Sequence, residues 1–97
     1  MELKFHPDLF QELSASYEWY ESKAKGLGDD FITELDTAFV SIKEMPDTWP
    51  FIKKGFRRFL LNKFPFGIIY KEKTDCIFII AVMHLSRKPG YWIERKD

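Results

Sequence analysis

The chain has 97 residues and a mass of 11.6 kDa, which suits one domain, since single domains usually contain about 50 to 250 residues. Apolar residues make up 45% of the chain, and 15 Lys and Arg balance 15 Asp and Glu. This composition excludes intrinsic disorder, and we predict a single domain over residues 1–97.

The first half of the chain shows a short strand followed by two helices. Leu3 and Phe5 alternate with charged residues, which predicts a strand, and Pro7 is predicted at the first position of a helix. An apolar stripe then follows helical spacing at Leu9, Phe10, Leu13, Tyr17 and Tyr20. After a break at residues 25–28, Asp29 and Asp30 open a second helix, and Pro46 ends it.

The second half of the chain has the composition of β-strands. Strands are predicted over residues 57–64, 67–73 and 76–84, separated by short turns, so they should form an antiparallel meander. The expected fold class is α+β, with the order β-α-α-β-β-β and an antiparallel sheet that carries the two-helix hairpin on one face.

Charge is segregated between the two halves. Residues 1–50 carry a net charge of −7 and residues 51–97 a net charge of +7, and every arginine lies in the second half. A net charge of zero therefore does not exclude an anionic partner such as RNA, DNA or an acidic protein segment.

Two runs in the second half resemble the signature of the RelE/ParE toxin superfamily. They are RRFLLNKFPFGIIY at residues 57–70 and AVMHLSRKPGYW at residues 81–92. Gly28-Asp29-Asp30-Phe31 and Pro46 in the helical half are also similar to the family, so the resemblance covers nearly the whole chain.

This resemblance implies the toxin of a bacterial type II toxin–antitoxin system, a plasmid stabilisation protein held inactive by a cognate antitoxin. ParE-like members inhibit DNA gyrase without being nucleases, and RelE-like members cleave ribosome-bound mRNA. We favour the ParE-like branch, because the neutral chain lacks the dense basic clusters with which the nucleases bind RNA. A non-toxic orphan member is the third alternative, and a homodimer stays open.

If the chain is RelE-like, the resemblance directs attention to His84, Arg87 and Tyr91 as catalytic residues. Cleavage would use the 2′-hydroxyl of the mRNA as nucleophile, so the protein needs only proton transfer and cations around the phosphate. His84 is the acid/base candidate, Arg87 the cation, and Tyr91 a stacking or proton-transfer group. A structural role for His84, in which it bonds a neighbouring backbone group at the end of a strand, is the equal alternative.

Further residues are candidates for binding the target or the antitoxin: Arg57, Arg58, Lys63, Lys88, Trp49 and Trp92. Arg57 and Arg58 must point to opposite faces of one strand, and the pattern does not decide which of them faces the site. The two tryptophans stand beside proline or in the C-terminal tail, where a flat aromatic ring often anchors a partner chain.

No cofactor, metal or membrane partner is expected. The two histidines and Cys76 have no ligand spacing, and the longest uncharged apolar stretch is far shorter than the roughly 20 residues that span a bilayer. Charged residues interrupt the N-terminus where a signal peptide would be apolar. One cysteine cannot form an internal disulfide, so we expect a cytoplasmic protein.

Overall fold

The computed structural model describes residues 1–95, so the last two residues of the predicted domain range lie outside it. The described residues form two helices, α1 (Leu9–Lys23) and α2 (Leu27–Glu44), and five strands. The strands are β1 (Glu2–Phe5), β2 (Phe51–Lys53), β3 (Phe56–Leu60), β4 (Phe66–Glu72) and β5 (Cys76–His84). The α+β class and the predicted order of elements are confirmed, with β2 as an additional short strand.

The five strands form one sheet in the order β1-β5-β4-β3-β2. Strands β3, β4 and β5 form the predicted antiparallel meander, and β2 pairs with β3 in the antiparallel direction, but β1 pairs with β5 in parallel. The expectation of a wholly antiparallel sheet is therefore wrong for β1. The helical hairpin and three strands separate β1 from β5 in sequence, so their relative direction was not set by a short turn.

The turn between the helices explains why α2 begins two residues before Asp29. Gly26 has a φ of +86°, a conformation that glycine adopts without strain. The carboxylate of Glu21 accepts hydrogen bonds from the N–H groups of Gly26 and Gly28, at 2.8 and 2.9 Å. These bonds satisfy donors that the first turn of a helix leaves unpaired, so Glu21 caps α2 and is not a merely solvated residue.

The sheet is covered on both faces. Between the sheet and the helices lies the helix-side core, which includes Phe31, Leu35, Ile42, Ile68 and Tyr70. On the other face, Ile69, Phe78, Ile80, Ala81 and Met83 form the tail-side core with Trp92 of the C-terminal tail, residues 85–95. Strand β5 is buried on both faces although it lies second in the sheet, not at its centre, because the tail covers the face that the helices leave open.

One apolar residue of the predicted α1 stripe lies outside this core. Leu9 is buried, but Phe10 is 78% exposed. The two residues are neighbours in the chain and therefore point to different sides of the helix. The helix begins at Leu9 and not at the predicted Pro7.

Candidate functional site

A groove lies between α1 and the sheet, and we call it the α1–sheet groove. Its volume is about 670 Å³. Helix α1 contributes Glu12, Ala15, Ser16, Trp19 and Tyr20, and the sheet side contributes Pro65, Phe66, Val82, His84 and Arg87. The walls are mostly apolar, and the polar groups Glu12, His84 and Arg87 stand among them.

A β-bulge places His84 on the helix side of the sheet. Tyr70 of β4 pairs with Ile79, but the preceding Ile69 pairs with Ala81, so Ile80 is an extra residue in β5. Such an insertion reverses the faces of all the following residues. Beyond the bulge, His84 pairs with Phe66, and the two rings contact each other with centroids 5.0 Å apart.

The imidazole of His84 is held by the turn that follows β5. Its Nδ1 accepts a hydrogen bond from the Ser86 backbone N–H at 3.0 Å, and the Ser86 hydroxyl lies 2.7 Å from the same atom. A neutral ring that accepts at Nδ1 carries its proton on Nε2. This is the backbone contact that the structural alternative for His84 predicts, and it makes the ring a hydrogen-bond donor on its other nitrogen.

Arg87 and Tyr91 stack on each other within the tail. The guanidinium carbon of Arg87 lies 3.5 Å from the centroid of the Tyr91 ring, and that of Arg95 lies 5.1 Å from the same centroid. Arg87 is exposed and also lines the α1–sheet groove beside His84. Arg87 thus contacts Tyr91 and shares the groove with His84, but no hydrogen bond or ring contact among residues 1–95 joins Tyr91, which packs on the tail-side core, to His84.

The tail is fastened to α1 by an ion pair. Arg95 donates two hydrogen bonds to the carboxylate of Glu12, one of them 3.1 Å long, and a third to the backbone oxygen of Ile80 at 3.0 Å. Its hydrogen bond to Glu12 raises the pKa of Arg95, against the opposing effect of burial. We call Glu12, His84, Arg87, Tyr91 and Arg95 together the tail cluster.

The environment of Tyr91 keeps its phenol protonated. Burial raises the pKa of Tyr91 above its ordinary value, and the charge of Glu12 adds to this effect, while Arg87 and Arg95 lower it. The hydroxyl is buried without a hydrogen-bond partner among the described residues. At neutral pH Tyr91 can therefore donate a proton or stack, but it cannot act as a general base.

Arg57 is a structural residue at a distance from the tail cluster. It pairs with Tyr70, which pairs with Ile79, so it lies two strands away from β5 and five positions before the level of His84. Its Nε donates to Glu72 at 2.8 Å, and its Nη1 donates to the backbone oxygen of Trp49 at 2.7 Å.

Aromatic rings pack around Arg57 and around Trp49, whose backbone oxygen Arg57 binds. The Phe51 ring stacks on its guanidinium with the centroid 3.8 Å away. The Trp49 ring is half-buried against Phe59, 4.6 Å between centroids. Arg57 is thus held by Glu72, Trp49 and Phe51 in the packing around the start of β3.

Arg58 points to the opposite face, as strand alternation predicted. It pairs with Ile69 of the tail-side core, and its side chain covers Gly67, where an added Cβ would lie 3.0 Å from Arg58 Cδ. No hydrogen bond, ion pair or ring contact within residues 1–95 joins Arg57 or Arg58 to His84, Arg87 or Tyr91.

The remaining predicted binding residues differ in exposure. Lys63 and Lys88 are exposed, and Glu34 accepts a hydrogen bond from the backbone N–H of Lys63 at 3.1 Å. Trp92 is only 1% exposed, because it packs in the tail-side core against Phe56 with centroids 4.9 Å apart. Its ring is not presented to a partner in this structure.

Sequence reasoning missed Glu12, Arg95, Trp19 and Tyr20 as residues of this region. Glu12 and Arg95 are 83 positions apart, so no local pattern links them. Trp19 was recognisable as a residue beside the apolar stripe of α1, and it lies 57% exposed on the rim of the groove.

Two further findings concern metal ligands and membrane spans. Among residues 1–95, no three His, Cys, Asp or Glu side chains converge as the ligands of a metal ion would. Neither α1 nor α2 has the length and apolar character that a bilayer-spanning helix requires.

The chain is similar in structure to solved proteins. No protein-family model and no curated protein matches the chain. Among solved structures, it is similar to a chain of a chromosomal ParDE toxin–antitoxin system from P. aeruginosa, with a TM-score of 0.66 and 19% sequence identity. The match covers 88% of this chain and 96% of that one. The sheet with its two-helix hairpin is therefore a RelE/ParE-like fold.

Proposed function

We propose that the chain is the ParE-like toxin of a type II toxin–antitoxin module, which inhibits DNA gyrase and is neutralised by a cognate antitoxin. The observation that carries the proposal is the similarity to the ParDE structure over 88% of the chain. It agrees with the resemblance of residues 57–70 and 81–92 to the RelE/ParE signature.

The state of the basic residues supports a target bound through protein contacts. Arg57 and Arg95 are engaged with Glu72 and Glu12, and Arg58 packs over Gly67. Among the arginines of the described chain, Arg87 alone is exposed beside the groove. A nuclease that binds RNA through its phosphates needs several unpaired cations together.

The α1–sheet groove is the proposed binding site of the antitoxin. Its apolar walls suit the aliphatic or aromatic side chains of a docked segment, and such buried anchors provide most of the affinity of protein interfaces. Arg87 lines it, and the exposed Lys88 follows Arg87 in the chain, so the segment should carry carboxylates beside its apolar residues.

A supercoiling assay with purified gyrase tests the proposed target. The wild-type chain should inhibit supercoiling, and Arg87→Ala should weaken inhibition more than Lys43→Ala, which removes a charge from the exposed end of α2. Full supercoiling at saturating protein would contradict the gyrase proposal. Harmless expression in bacteria without an antitoxin would favour the orphan alternative instead.

The RelE-like alternative has one specific observation in its favour: His84 and Arg87 line the same groove, and Tyr91 stacks on Arg87. Primer extension on ribosomes programmed with mRNA would detect cleavage. If cleavage occurs and is lost in Arg87→Ala and Tyr91→Phe, the RelE-like nuclease hypothesis replaces the gyrase proposal. Ribosome-bound mRNA that stays intact removes this alternative.

A further inference from the structure

A second groove lies on the helical hairpin and shares no residue with the α1–sheet groove. It has a volume of about 450 Å³, and we call it the hairpin groove. Helix α1 contributes Phe10, Leu13, Ser14, Tyr17 and Glu18, and α2 contributes Ile32. Nothing in the fold or in the proposed function so far accounts for this surface.

The apolar residues of this groove form a regular row along one helix. Phe10, Leu13 and Tyr17 follow one flank of α1 at intervals of three and four. Phe10 is 78% exposed, whereas Leu13, Tyr17 and Ile32 are partly buried. Apolar side chains that form a contiguous surface patch can mark an interaction site. The spacing fits a helix or an extended segment laid along the hairpin.

The floor of the groove is rigid. Tyr17 packs on Gly28 so closely that an added Cβ would lie 2.7 Å from the Tyr17 backbone oxygen and 2.8 Å from its ring. The Tyr17 hydroxyl donates to Asp29 Oδ1 at 3.0 Å. A partner would therefore meet a preformed surface, which lowers the entropic cost of docking.

The charge around the groove selects the partner. The two helices contain eight acidic and two basic residues, and Glu18 lines the groove itself. The hydrogen bond to Asp29 and the charge of Asp29 raise the pKa of Tyr17, and burial and the charge of Glu21 add to this effect. A cation placed over such a ring is favoured.

We propose that the hairpin groove binds a cationic amphipathic segment of another protein, with apolar side chains on Phe10, Leu13 and Ile32 and a Lys or Arg near Tyr17 and Glu18. The acidic hairpin repels nucleic acid and anionic membranes. A symmetric dimer through this face would oppose two acidic surfaces, so a second copy is disfavoured as the occupant. This proposal does not depend on the toxin function.

Fluorescence anisotropy with two labelled model peptides tests the proposal on the full chain. One peptide is an amphipathic helix of Leu and Lys, and the other has the same pattern with Glu in place of Lys. We expect saturable binding of the Leu/Lys peptide only. Phe10→Ser and Glu18→Lys should each weaken it about tenfold.

Two matched variants provide the controls. Leu60→Ser removes an exposed apolar side chain from the sheet, and Glu44→Lys reverses a charge on α2 away from the groove. Both should bind the Leu/Lys peptide within about twofold of wild type. Because Phe10 and Glu18 are exposed, circular dichroism should show that all four variants stay folded.

Three results would overturn the proposal. The first is equal binding of the two peptides. The second is an affinity for the Leu/Lys peptide that Phe10→Ser leaves unchanged, and the third is a loss of that affinity in the control variants as large as in Phe10→Ser and Glu18→Lys. Sedimentation velocity tests whether a second copy of the chain occupies the groove. A dimer of the wild-type chain that Phe10→Ser abolishes would assign the groove to that copy instead. None of these readouts measures toxicity, so failure here and failure of the gyrase proposal are distinguishable.

Discussion

The ion pair between Glu12 and Arg95 should contribute measurably to stability, because it is the polar link between the tail and α1. The side chains are 26% and 12% exposed, respectively, so solvent screens the pair less than a surface pair. Glu12→Gln leaves Arg95 in contact with the Ile80 oxygen and the Tyr91 ring, but without its opposite charge.

The expected loss of stability follows from the partial burial of the ion pair. Exposed ion pairs contribute up to about 1 kcal/mol, and removing one partner of a buried pair costs about 3 to 5 kcal/mol. Since the pair is partly buried and two charge-assisted hydrogen bonds join it, we expect Glu12→Gln to lower the free energy of unfolding by about 2 kcal/mol. For a domain of this size the midpoint temperature should fall by about 10 °C.

Thermal and urea unfolding of a double-mutant cycle measures this contribution. The cycle compares Glu12→Gln, Arg95→Gln and the double variant, and we expect a coupling energy of about 1 to 2 kcal/mol. Glu18→Gln makes the same change on the same helix at an exposed residue without an ion pair among residues 1–95, and it should stay within about 0.5 kcal/mol of wild type. A coupling energy no larger than this control effect would refute the reasoning.

Three other predictions concern packing, pH and a loop. Gly28→Ala should destabilise the chain by about 2 kcal/mol despite the better helix propensity of Ala, because the new Cβ would overlap Tyr17. Urea unfolding measures this loss, and unchanged stability would show that the two helices can separate at little cost. Burial raises the pKa of Tyr70 to about 12. Protonated Tyr70 therefore contributes fully to the free energy of unfolding below pH 10, and this contribution is lost as the pH rises toward 12. Tyrosinate absorbance should therefore develop at higher pH in the folded chain than in urea, and coincident titrations would contradict the assigned burial. Glu34→Ala should increase hydrogen exchange at residues 62 and 63, whose backbone N–H groups donate to this carboxylate; exchange equal to wild type would mean that the bonds do not persist in solution.

Local pattern was sufficient where an element is defined by its own residues. The apolar run at residues 76–84 predicted β5 with both of its bounds, and Pro46 predicted the end of α2 to within two residues. Alternation also placed Arg57 and Arg58 on opposite faces. In each case residues in or next to the element determine its bounds or its faces.

Pattern failed where distant residues decide the environment. The exposure of Phe10 depends on which side of α1 packs on the sheet, and the burial of Trp92 depends on a tail that folds back over the sheet. The face of His84 depends on a bulge at Ile80 that an uninterrupted apolar run does not reveal. The candidate site was thus predicted as a set of residues near the C-terminus, but its arrangement required the tertiary structure.

The segregation of charge between the halves has a different meaning in the folded chain. Glu12, Glu21 and Glu34 are occupied by Arg95 and by backbone N–H groups, and Arg57 and Arg95 are occupied by carboxylates. The charges that stay exposed include acidic residues on the outer hairpin, Arg87 and Lys88 of the tail, and Lys53, Lys54 and Lys63 between α2 and β4. Two surfaces of opposite sign on different sides of α1 cannot both serve one polyanion. They fit two partner segments of opposite charge, and salt should weaken both interactions independently.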